Sequence, residues 1–193
     1  MLESMQSVAV YCGSATGNSP AYTQAAQELG TELARRGLNL VYGGGNIGLM
    51  REVAQACLAA GGTVTGVMPQ SLVDLEISHP GLTTLEVVGS MAERKTRMEQ
   101  LADAYICLPG GVGTLEELTE VLTLHQLGHI RGPVGLVNTA DFWRPFYAMY
   151  AAMAESGFIL PRFVDSLVMK EKPQDILDEF SHWSYPGTKW DND

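Results

Sequence analysis

The feature that most narrows the fold is a rhythm. Apolar, β-rich runs recur along the chain, most of them ending at glycine or proline and followed by a stretch with helical spacing. SVAVYCGS leads to SPAYTQAAQELGTELARRG, LNLVYGGG to IGLMREVAQACLAAGG, and TVTGVMP to a less regular segment around SLVDLEISHPGL. The second half continues with TTLEVV, SMAERKTRMEQLA, AYICLP, TLEELTEVLTLHQLG, PVGLVN, FWRPFYAMYAAMAESG, SLVMK and PQDILDEF. Strands that read as continuous apolar runs are buried on both faces, and the intervening helices supply the cover. The pattern therefore predicts an α/β fold with a mostly parallel central sheet. Ser19 suits a helix N-cap, Pro20 the first helical position and Gly37 the stop beyond it. Residues 1–193 read as one domain. The tail from about 181, ending YPGTKWDND, has no periodicity and is expected to be loosely held.

Charge limits the partners. Twelve basic against twenty-two acidic residues leave a net charge of −10, which argues against a nucleic-acid or anionic-membrane surface. Any anion must then be met locally. No apolar run approaches membrane-spanning length. The first basic residue is Arg35, so no charged leader region is expected. Cys12, Cys57 and Cys107 are odd in number and set among apolar residues, as reduced thiols of a cytoplasmic protein would be.

Parallel sheets bind ligands at the carboxyl ends of their strands. Three glycine-bearing strand ends compete here: CGSATG at 12–17, YGGGNIG at 42–48 and PGGVGT at 109–114. Gly43, Gly45 and Gly48 match a dinucleotide fingerprint by spacing, but no acidic residue follows about twenty positions on to hold a ribose. The third loop is more informative. It opens a helix, where free N–H groups favour anions, yet Glu116, Glu117 and Glu120 follow at once. Glu117 falls on the apolar side of that helix, between Leu124 and Val121. It is either a first-turn acid favoured by the helix dipole or a buried carboxylate in need of a cation. The preceding helix offers two. Arg94 lies in a stripe with Met91, Met98 and Leu101, and Lys95 sits beside it; both could also snorkel to water. An Arg94–Glu117 pairing is expected. N–H groups around Gly110, Gly111 and Gly113, with the Thr114 hydroxyl, would hold a phosphate, while Glu117 would face a sugar whose carbon becomes electron-poor as a C–N bond breaks.

SMAERKTRM followed by LPGGVGTLEELTEV resembles the LOG (Lonely Guy) family of cytokinin riboside 5′-monophosphate phosphoribohydrolases, often mislabelled as lysine decarboxylases. The likeness runs from VYCGS through VYGGGNIGLM and GVMP to PVGLVN. It implies a Rossmann-like three-layer fold and hydrolysis of a nucleoside 5′-monophosphate to free base and ribose 5-phosphate, without metal or other cofactor. It implies Arg94 and Glu117 as the catalytic pair. The substrate pocket it implies comprises Glu76, Lys95, Gly110, Gly111, Val112, Gly113, Thr114, Leu115, Glu116 and Thr123. It also implies a homodimer with the pocket near the subunit contact. Where many relatives read MHERK and GLMG, this chain has Ala92 and Arg51.

His125 and His129 share a helix face, but no third ligand of suitable spacing accompanies them, so no metal site is expected. The aromatic run FWRPFYAMYAAM is expected to pack at a subunit interface. A noncatalytic nucleotide or molybdopterin carrier is the alternative to an enzyme; a pyridoxal-type decarboxylase would need a Schiff-base lysine, for which only Lys95 is placed near the glycine loop.

Overall fold

The computed structural model describes residues 5–75 and 77–191. The chain runs β1 (Ser7–Tyr11), α1 (Pro20–Arg35), β2 (Asn39–Tyr42), α2 (Gly48–Ala59), β3 (Val64–Pro69), a short α3 (Gln70–Val73), β4 (Thr84–Val88) and α4 (Met91–Leu101). It continues through β5 (Ala104–Cys107), α5 (Val112–Leu127), β6 (Val134–Val137), α6 (Arg144–Glu155), α7 (Pro161–Asp165), β7 (Val168–Lys170) and α8 (Pro173–Phe180). The strands form one sheet in the order β4-β3-β2-β1-β5-β6-β7, and every neighbouring pair is parallel. The three-layer α/β architecture expected from the alternation is present. Strand order reverses between β1 and β5, which opens a crevice over their carboxyl ends.

Both faces of the central strands β1, β2, β5 and β6 are covered, which is why they carry so few polar residues, whereas β4 at the edge is exposed or half-buried throughout. Val8, Val10, Leu40 and Tyr42 pack under α1, α2 and α8, against Leu29, Leu33, Val53 and Phe180. On the opposite face Ala9, Tyr11, Val41 and Val67 meet Met98 of α4, Leu118 and Val121 of α5, and Trp143. Local chemistry sets the helix ends. Ser19 Oγ accepts a hydrogen bond from the Ala21 N–H ahead of α1, and Gly37 lies just past that helix at φ +70°. At α4, Ser90 Oγ accepts from the Glu93 N–H at 3.1 Å, and the Glu93 carboxylate accepts from the Gly89 N–H at 2.7 Å. This reciprocal cap fixes the first turn of α4, and Arg94 is the next residue along.

Trp143 and Tyr150 of the run expected at a subunit interface are buried in the core, while Phe142 and Met149 of the same run are exposed. One expectation is corrected: the tail is tied down. Trp183 Nε1 donates to Ser166 O, the Tyr185 hydroxyl donates to His125 O, and the Lys189 N–H donates to Gln126 O at 2.9 Å. The rings of Phe163, Trp183 and Tyr185 surround His125, whose pKa burial lowers to about 4. The tail lacked a readable period because single side-chain anchors hold it, with no repeating face.

Candidate active site

The crevice is built from loops that touch through backbone. The Gly13 N–H donates to Pro109 O at 3.1 Å, and the Leu49 N–H donates to Gly13 O at 3.0 Å, so the turn after β1 is clamped between the loop after β5 and the start of α2. Gly110 is required by this contact: a Cβ there would lie 2.7 Å from Thr114 Cβ and 2.8 Å from Gly13 N. Gly111 and Gly113 differ, since a Cβ at either meets nothing within 4 Å. That open space lies at the N-terminus of α5, where the orphan N–H groups and dipole attract an anion. A pocket of about 200 Å³ adjoins it, lined by residues 13–17 and 109–111 with Tyr22, Leu49 and Phe142.

Glu117 sits further along α5, flanking the buried stripe of Thr114, Leu118 and Val121, and is half-buried. Burial first, and the Glu117 charge second, raise the pKa values of Tyr11, Cys12 and Cys107 on β1, just after it and on β5. Burial pushes Glu117 itself up to about 7, against the opposing pull of the nearby Arg94 cation. The Arg94 Nε donates to Val67 O at 3.1 Å, at the end of β3, and its Nη1 approaches Met91 Sδ at 3.8 Å.

The expected direct pairing is thus corrected. Among the described residues Arg94 and Glu117 make no ion pair, because the guanidinium is anchored on the Val67 carbonyl; its charge reaches Glu117 through space. Lys95 has partners of its own: its Nζ bridges Glu116 at 2.7 Å and Glu120 at 2.8 Å, strapping α4 to α5, and those partners raise its pKa. Glu116 is consumed in that strap. Val112 and Leu115 are exposed at the mouth. Thr123 is exposed, donates to Thr119 O, and stands nine residues beyond Thr114 on α5, about 13 Å along the axis. The structure does not bring it to the loop. Glu76 lies outside the described residues. Arg51, the departure in GLMRE, is paired with Glu52 at 2.9 Å.

Sequence reasoning missed Tyr22, Leu49 and Phe142 as walls of the pocket. CGSATG and PGGVGT, which compete as strand ends in the sequence, are joined in the structure. Phe142 carried no signal. It is aimed by Ala140 and Asp141, both at positive φ (52° and 59°), a conformation that non-glycine residues seldom adopt. Asn138 holds this turn: its Oδ1 accepts from the Trp143 N–H at 2.8 Å and its Nδ2 donates to Asp141 Oδ1 at 3.1 Å.

Comparison with known proteins shows the family. The family described as "Possible lysine decarboxylase" matches residues 50–180. The cytokinin riboside 5′-monophosphate phosphoribohydrolase LOG of Oryza sativa subsp. japonica is 49% identical over 152 residues, 79% of this chain. The chain spans 63% of that protein's length. The cytokinin riboside 5′-monophosphate phosphoribohydrolase of Rhodococcoides fascians is 46% identical over 157 residues, covering 81% of this chain and 79% of its own. Among solved structures, the molybdenum cofactor binding protein of Rippkaea orientalis superposes with a TM-score of 0.72 at 20% identity, over 93% of this chain and 98% of its own. That likeness shows a shared fold.

Proposed function

Given that the chain belongs to the LOG family, we propose that it hydrolyses the N-glycosidic bond of nucleoside 5′-monophosphates, cytokinin riboside monophosphates or AMP, to free base and ribose 5-phosphate. One observation carries the reading: Glu117, a half-buried carboxylate with no ion-pair partner among the described residues, stands one to two helical turns from the open space at the N-terminus of the same helix. The N–H groups of Gly111, Val112 and Gly113 hold the phosphate, with Thr114 and Gly110 shaping the loop. This puts the ribose over the strand ends, beside Glu117. As the C1′–N bond breaks, positive charge grows on the sugar, and the ionised carboxylate stabilises it. Water then adds to C1′, and its proton passes, directly or by way of Glu117, to the nitrogen of the departing base, so neutral base and ribose 5-phosphate are the products and Glu117 is ionised again. Arg94 keeps Glu117 ionised and supplies a cation beside the crevice.

The test is a panel of AMP, N6-substituted AMP and the matching nucleosides, assayed for free base and ribose 5-phosphate. Release from the monophosphates and not from the nucleosides is expected. Tight nucleotide binding with no base release would instead favour the carrier reading, which rests on fold likeness at 20% identity. A Schiff-base decarboxylase is disfavoured by Lys95. An amine that forms an imine needs its pKa lowered, and the two carboxylates raise that of Lys95.

The same reading includes a homodimer in the cytoplasm. Apolar side chains surround the mouth and the open edge of the sheet, with Val112 84%, Met91 47% and Val87 47% exposed. A second copy would cover that face. A sedimentation mass of two chains at micromolar concentration is expected, and a stable single-chain mass would reject it. The three thiols are free and buried, in keeping with a reducing compartment. No helix among the described residues is long and apolar enough to cross a membrane.

A further inference from the structure

We infer that Gly43 is a positioning residue of this site: its missing side chain is the slot through which the Arg94 guanidinium crosses the end of β2 to reach the crevice. The inference rests on the proposed role of Arg94. A Cβ built on Gly43 would overlap Arg94 Nη2 and lie 2.7 Å from its Cζ and 3.2 Å from its Nε. The backbone has no room to retreat, since Gly43 is buried directly after β2. Gly44 and Gly48 adopt positive φ, at +78° and +55°, so they are glycines for reasons of conformation. Gly43 is not in that region. Its three nearest neighbours are all atoms of the Arg94 side chain, and no other chain atom crowds it as closely. An alanine here therefore costs the fold little, and the collision falls on the guanidinium, which must leave both the Val67 carbonyl and the approach to Glu117.

Three proteins test it: Gly43→Ala, Arg94→Ala and the double variant. Gly43→Ala should fold with a melting temperature within a few degrees of wild type. Its kcat should fall at least tenfold, with KM less affected. The double variant should be no slower than Arg94→Ala, because the group that the methyl displaces is already gone. The acid limb of the rate profile should move to higher pH in Gly43→Ala as in Arg94→Ala. The other groups facing Glu117 are unchanged: Lys95, Glu116 and Glu120 on the helices, and Tyr11, Cys12 and Cys107 on the strands. Should Gly43→Ala prove unstable, a double variant more stable than it would report the same collision. A near-normal rate in Gly43→Ala, or a double variant slower than Arg94→Ala by the full single-variant factor, would overturn the inference while leaving the active-site reading intact. Full activity in Arg94→Ala would overturn that reading, and this inference with it.

Discussion

Replacing Glu117 with Gln should leave a folded, nucleotide-binding protein whose kcat is lower by roughly two to four orders of magnitude. Gln keeps the shape and hydrogen-bonding reach of the side chain but removes the negative charge that would stabilise the electron-poor sugar, and it cannot take a proton from water. Because the phosphate is held by backbone N–H groups at the start of α5, KM should change far less than kcat. Stability should move the other way. Burial raises the folded-state pKa of Glu117 to about 7, above the ordinary value of about 4.3. The folded protein thus holds that proton more tightly than the unfolded chain. The stability this group contributes is complete below the unfolded value and is lost as pH rises through about 7. Gln has no charge to bury, so above pH 7 the variant should melt at or above the wild-type temperature, while at acid pH the two should converge. Thermal unfolding at two pH values, with single-turnover rates of base release, measures both halves. A near-normal rate would remove Glu117 from the chemistry.

How much of this could be read from residues alone differs by level. The alternation of strands and helices was legible because burial on both faces leaves each strand apolar along its length, as in AYIC and VGLV. The helix cap at Ser19 was readable because it depends on neighbours a few positions away. Glu117 stood out because a carboxylate on the apolar side of a helix is costly. Its relation to Arg94 was only partly legible. Helical phase puts both near one crevice but cannot say which acceptor a long, flexible guanidinium chooses, and a backbone carbonyl on β3 lies far away in sequence. The strap made by Lys95 was hidden for a similar reason. Its partners Glu116 and Glu120 stand one turn apart on α5, a spacing that accepts one ammonium between them, but only the packing of α4 against α5 brings the ends together. Phe142 and the anchors of the tail depend on irregular backbone, which leaves no period to find.

Replacing Arg94 with Ala should lower kcat by a similar two to four orders at pH 7, but the loss should depend on pH in a way that of Glu117→Gln does not. In the native protein the guanidinium opposes the effect of burial on Glu117, holding its pKa below where desolvation alone would put it. Wild-type kcat/KM should therefore rise with pH through an acid limb near 7. Without the cation, less of the carboxylate is ionised at neutral pH, and the limb moves upward. Raising the pH restores the ionised form and recovers that share of the rate, whereas Glu117→Gln, which has nothing to ionise there, stays flat. The part that alkaline pH does not recover measures what Arg94 supplies directly, by contact with the phosphate, the sugar or the departing base. Complete recovery would mean that Arg94 acts only through the charge state of Glu117. An unshifted limb would mean that the two are not coupled, and the through-space role assigned to a guanidinium anchored on Val67 would fall.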